Sequence, residues 1–269
     1  MTAAATSPSV VPAPAPPPDA LFEYLLRLGD DRLVLGHRLS EWCGHGPILE
    51  EDIALSNVSL DLLGQATMLL RLAGEVEGKG RTEDSLAYFR EVIEFRNCQL
   101  VELPKGDFAF TIARQFVFDV YAVVLLDALS MSTHAELAAI AAKSLKEAKY
   151  HVRHSGEWML KLGDGTAESH RRVQGALDDL WRFTGELFAA DDIDRAMHAA
   201  GVGPDLGALK ATWESLVREV LTRATLTLPV DAPRHPNTRG GRTGTHTEFL
   251  GHLLAELQII ARSHPGATW

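Results

Sequence analysis

The chain has 269 residues, 46% of them hydrophobic, with 36 acidic against 26 basic side chains and a formal charge of −10. That length can bury a sizeable core, and the acidic balance argues against nucleic acid or an anionic membrane surface as partner. The two cysteines, Cys43 and Cys98, lack CxxC spacing, so they read as free, buried thiols of a reducing compartment rather than a disulfide or a zinc site.

The first nineteen residues, MTAAATSPSVVPAPAPPPD, have no basic start and no continuous apolar stretch. They fail as a signal peptide and are expected to form a disordered Pro/Ala-rich tail. No unbroken run of about 18 apolar residues follows, so a cytoplasmic protein without a membrane-spanning helix is expected. Residues 20–269 are read as one helical domain, with a core bundle over about 21–165 and accessory helices over about 166–269.

Helical periodicity runs through almost all of it. A first helix over Leu21–Trp42 is stopped by Cys43-Gly44-His45-Gly46-Pro47. A second covers Ile48–Val76, with Leu55, Val58, Leu62, Leu69, Leu72 and Val76 recurring at helical spacing. The short turn between two long helices predicts an antiparallel pair. A shorter helix is expected over 82–101, then a loop at Pro104-Lys105-Gly106. Asp107–Ser132 and a helix capped by Thr133 and ending near Leu162 form a second pair. Further helices are expected near 168–189, 205–226 and 247–262, the last preceded by a Gly/Pro-rich loop at 229–244. Alternating β-branched runs are scarce, and none makes a convincing strand. Two helical hairpins joined by a crossing segment give an all-α, ferritin-like four-helix bundle with additional packed helices.

Such a bundle raises the question of two metal ions. The catalytic pattern needs a Glu on each of two helices and Glu-x-x-His on the other two, because residues three apart share a face and can reach one ion. None of the eleven histidines has an acidic residue three positions before it. Near misses remain: Asp61, Asp119, Glu147 and His151, with His154 beyond them. They read either as a non-standard metal site or as satisfied polar residues of a vestigial centre. Asn57, Asp61 and Gln65 step by four along an otherwise apolar helix. Buried carboxylates need partners, so Arg38, Arg114 and Lys143 are read either as cations that replace the ions, Lys143 pairing with Glu147, or as surface residues. Arg239-Gly240-Gly241-Arg242-Thr243-Gly244 reads as a flexible surface loop that could alternatively hold a phosphate. Glu248, His252 and Glu256 read as a solvated or inter-subunit face that could alternatively bind a metal. Phosphate-loop, GxGxxG and GxSxG motifs are absent.

Several blocks carry a family resemblance: Leu28-Gly29-Asp30, Arg38-Leu39-Ser40-Glu41-Trp42-Cys43-Gly44-His45, Leu60-Asp61-Leu62-Leu63-Gly64-Gln65-Ala66, Ile112-Ala113-Arg114-Gln115 and Lys146-Glu147-Ala148-Lys149-Tyr150-His151. Leu180-Trp181-Arg182-Phe183-Thr184, His246-Thr247-Glu248 and Pro265-Gly266 before Trp269 extend it. From about 21 to 269 the chain resembles the C subunits of bacterial ring-1,2-phenylacetyl-CoA epoxidases, also called phenylacetate-CoA oxygenases. The resemblance implies a sister ferritin-like A subunit whose di-iron centre epoxidises the ring of phenylacetyl-CoA with dioxygen, and a reductase supplying electrons from NADPH. It implies that this chain is a metal-free, cofactor-free and non-catalytic structural partner in aerobic phenylacetate catabolism. It further implies a coenzyme A contact near Glu94, Phe95, Arg96 and Asn97. The Pro/Ala tail departs from the family pattern. A self-sufficient metalloenzyme with an Asp/Glu/His site and an isolated acyl-CoA-binding protein are the alternatives.

Overall fold

A computed structural model describes residues 16–229 and 239–267. Most of the proline-rich tail, part of the 229–244 loop and Trp269 lie outside them. The described residues form α1 Pro18–Ser40, α2 Leu49–Glu77, α3 Glu83–Tyr88, α4 Phe108–Leu129, α5 Ala135–Gly163, α6 Ala167–Thr184, α7 Asp192–Ala199, α8 Leu206–Arg223 and α9 Glu248–Ser263, with short 3₁₀ turns between some of them and no strand. The all-α, ferritin-like arrangement is as expected. α1–α2 and α4–α5 are its two hairpins, and α2 also borders α5.

Local chemistry sets the ends. α1 begins at Pro18, inside the expected tail, because a proline in the first turn has no N–H to waste. α2 closes on Gly78, whose φ of 69° suits a residue without Cβ. The fourth bundle helix is capped by His134 rather than Thr133, its ring nitrogen accepting from the Leu137 amide. The α1–α2 seam is unusually close: a Cβ on Gly29 would lie 2.8 Å from Leu70, and one on Gly36 would lie 3.1 Å from Leu63. Glycines seven apart on one helix thus admit leucines seven apart on the other.

The expected helix over 82–101 is not continuous. Only Glu83–Tyr88 is α-helical, followed by two 3₁₀ turns at Val92–Glu94 and Gln99–Glu102. Carboxylates on α1 win the competition for its backbone: Asp30 accepts the Arg96 amide at 2.8 Å and Asp31 the Cys98 amide at 2.8 Å. α7 is additional to the expected helices, although Asp191 and Asp194 form a capping box at its start.

Two helices are long and apolar enough to cross a membrane by length and composition, α2 and α4, although neither has an unbroken apolar run. The apolar window of α4 is 89% buried within the protein, so its composition serves the core. α6 and α8 cover α4, with Trp213 donating to the Val117 carbonyl at 3.1 Å and stacking on Trp181 at 5.5 Å. Cys98 is buried, but Cys43 is exposed in the α1–α2 turn.

Candidate functional site

α1 runs through the centre and buries Arg27, Asp30, Asp31, Arg32 and Arg38. Each needs a partner there. Arg27 meets Asp191 and Asp194, Asp30 meets Arg90, and Asp31 meets Arg242 at 2.7 Å. Arg32 donates through Nε to the Gln65 side-chain oxygen at 3.0 Å, and Gln65 in turn donates to Glu147 at 2.8 Å. Burial pushes the Arg32 guanidinium below its usual range.

The residues expected to form a vestigial centre make separate polar contacts. His151, buried on α5, lies 3.0 Å from Asp61 on α2, whose side chain is 44% exposed. His154 lies 2.8 Å from Glu51 at the start of α2. On α4, Asp119 is buried and accepts from Gln115 at 2.6 Å and from Ser155 at 2.8 Å. Its carboxyl is pushed up to about 6, chiefly by desolvation. Asn57 faces outward while Gln65, two turns on, is buried, so the polar row winds from surface to interior.

These residues do not fit a di-iron centre. Both Asp119 oxygens are taken by neighbours on α4 and α5, Glu147 is held by an amide, and α1 contributes a guanidinium at this level. Among the described residues no group of three or more His, Cys, Asp or Glu side chains is arranged to hold a metal ion.

The cations expected here sit elsewhere. Arg38 binds the Glu102 and Phe249 carbonyls and the Glu41 carboxylate. Arg114 donates to the carbonyls of Leu103 and Pro104. Lys143 reaches Met68 sulfur at 3.8 Å rather than Glu147. Arg32, acting through Gln65, is not among the expected cations. Helical periodicity assigns a residue to a face, but not the end point of a long flexible side chain.

The segment Glu94–Asn97, expected to contact coenzyme A, is mostly turned inward. Phe95 is buried beneath the Arg90 guanidinium, 4.2 Å from its ring centroid, and Asn97 is buried with its amide on Glu102 at 2.9 Å. Arg96 commits Nε to Glu23 at 2.7 Å and Nη1 to the Ile93 and Phe95 carbonyls, and Glu94 is exposed.

The Arg239–Gly244 run is an anchored turn rather than a flexible loop or a phosphate cradle. Its amides at Gly240 and Gly241 both donate to Glu186, at 2.9 and 2.8 Å, and Arg242 pairs with Asp31. Just beyond, Glu102 accepts from the Thr247 amide at 2.7 Å and holds the His246 ring. Glu248, His252 and Glu256 form an exposed row on α9.

The outer face of α2 is unlike a surface helix. Leu49, Ile53 and Leu60 are 72%, 53% and 66% exposed, and Gly64 continues their row. Tyr150, 68% exposed, adjoins His151 on α5 as Leu60 adjoins Asp61 on α2. An apolar row of this kind is expensive to leave in water.

The family model described as "Phenylacetic acid catabolic protein" matches residues 10–269. The C subunit of the 1,2-phenylacetyl-CoA epoxidase of Escherichia coli (strain K12) is 49% identical over 249 residues, which cover 93% of this chain and 99% of that one. A match of that length, spanning every helix above, places the chain in the phenylacetic acid catabolic protein family.

Proposed function

We propose that the chain is a non-catalytic, metal-free subunit of a multicomponent oxygenase that epoxidises the ring of phenylacetyl-CoA. The observation that carries this reading is the side-chain economy of the candidate centre, where Gln115, Ser155, Gln65 and Arg32 take the contacts that two metal ions would need. The name of the 49% identical relative supports the substrate and the reaction class. The partner is a ferritin-like A subunit holding the di-iron centre, with a reductase supplying electrons, all in the cytoplasm. The apolar row Leu49, Ile53 and Leu60 supports the α2 face as its docking surface, since a stable heterodimer buries roughly 800 Å² per partner around such anchors.

Co-expression with the neighbouring subunits tests the reading. The expected result is a complex containing this chain, with iron bound stoichiometrically by the complex and absent from the chain purified alone. Leu60→Glu is expected to abolish co-purification while leaving the chain's own melting temperature unchanged. Two iron atoms per isolated chain would instead establish a self-sufficient metalloenzyme, using half-exposed Asp61 beside His151. Saturable phenylacetyl-CoA binding by the isolated chain would establish an acyl-CoA-binding protein.

A further inference from the structure

A cavity of about 20 Å³ lies where α1, α4, α7 and the anchored 239–247 turn meet, lined by Tyr24, Arg27, Tyr121, Glu186, Asp194 and Arg242 among others. Two of its lining side chains carry a buried polar atom that finds no partner among the described residues: the Tyr24 hydroxyl and Arg27 Nε. Both side chains are more than nine-tenths buried, at 4% and 5% exposure. The remaining Arg27 nitrogens are committed, Nη1 to Asp191 at 2.9 Å and Asp194 at 3.0 Å, Nη2 to Asp191 at 2.5 Å. Buried donors are rarely left unpaired, because each forfeits the hydrogen bonds it made to solvent.

Size and charge narrow the occupant. One water molecule needs about 10–15 Å³ of such space and two to four polar partners. A halide would face the carboxylates of Asp194 and Glu186, and a cation would face two guanidiniums. An apolar guest would leave the hydroxyl and the Nε–H unpaired. Acceptors for a water's own protons are at hand: Glu186 receives only three amides, those of Gln99, Gly240 and Gly241, across two oxygens with about four lone-pair sites.

We infer that this cavity is a built site for a single resident water molecule, which accepts from Arg27 Nε, pairs with the Tyr24 hydroxyl and donates to the Asp194 or Glu186 carboxylate. It joins α1 to α7 and to the turn at 239–247, which also meet through the Arg27–Asp191, Arg27–Asp194 and Asp31–Arg242 pairs. The site is independent of the proposed complex, and so is its test.

Crystals of the full chain diffracting to about 1.5 Å, one native and one soaked in bromide, decide it. The expected result is one fully occupied peak within hydrogen-bonding distance of both Tyr24 Oη and Arg27 Nε, without anomalous signal at the bromine edge. An empty cavity overturns the inference, as does an anomalous bromide peak or a peak with the short, many-fold coordination of a metal cation. Solution measurement supplies the second readout. Oxygen-17 relaxation dispersion is expected to count at least one water residing longer than molecular tumbling in the native chain, and a count of zero overturns the inference equally.

Discussion

Asp119 and His37 are buried titratable groups whose effects on stability oppose each other, and separating them tests the account of the bundle interior. The Asp119 carboxyl is raised from 3.8 to about 6, chiefly by desolvation. The folded state then binds a proton more tightly than the unfolded chain, so this group makes stability fall as pH rises from about 4 to about 6. At 1.36 kcal/mol per unit, roughly two units amount to about 3 kcal/mol. His37 is lowered from 6.5 to about 4 by burial, so the unfolded chain binds the extra proton and stability rises over about pH 4 to 6.5, by a similar amount. The wild-type chain is thus expected to show a shallow profile across this window. Asp119→Asn can keep the Gln115 bond through its own carbonyl, while Ser155 turns its proton to the His151 carbonyl 3.0 Å away. Urea unfolding followed by circular dichroism, at half-unit steps from pH 4 to 8, gives the difference profile. The variant is expected to gain about 3 kcal/mol relative to wild type between pH 4 and 7. Parallel profiles for the two proteins would refute the assignment of a neutralised, desolvated carboxyl to this position.

Other perturbations address separate parts of the fold. His37→Gln is expected to tilt the same pH profile the other way, with stability falling from pH 4 to 6, measured by the same urea titrations. Arg242→Met leaves the carboxylate of Asp31, itself 0% exposed, without its guanidinium, and is expected to cost about 3 kcal/mol or more in chemical denaturation. Gly36→Ala places a methyl 3.1 Å from the Leu63 side chain and 3.3 Å from the Ser59 carbonyl. It is expected to lower stability by about 1–3 kcal/mol, through the overpacking of an already close seam.

Much of this fold was legible because it is built from long amphipathic helices with glycine and proline between them. The four bundle helices fall within a few residues of where periodicity puts them, and α6, α8 and α9 do so as well. The failures over 82–101 and 239–244 share one cause, the long-range capture of local groups. Residues 82–101 have helical composition, yet Asp30 and Asp31, more than sixty positions earlier, claim their amides. Arg239–Gly244 has the composition of a mobile loop, but Arg242 answers to Asp31 and the glycine amides to Glu186. The absence of Glu-x-x-His was readable outright; the identity of what stands in its place was not. Arg38 and Arg114 are drawn to carbonyls in the crossing segment and at the start of α9, while Arg32 meets Gln65 across the α1–α2 seam. The exposed row on α2 was written in the sequence as apolar periodicity, but one too wide to assign wholly to the core.

The pairing of Asp31 with Arg242 spans 211 positions, and that of Glu102 with His246 spans 144. As the chain leaves the ribosome, α1 and the crossing segment are made long before their partners. Until residues 239–247 emerge, Asp31 lacks its guanidinium and Glu102 its hydrogen bonds from His246 and Thr247, and burying either carboxylate is opposed rather than favoured.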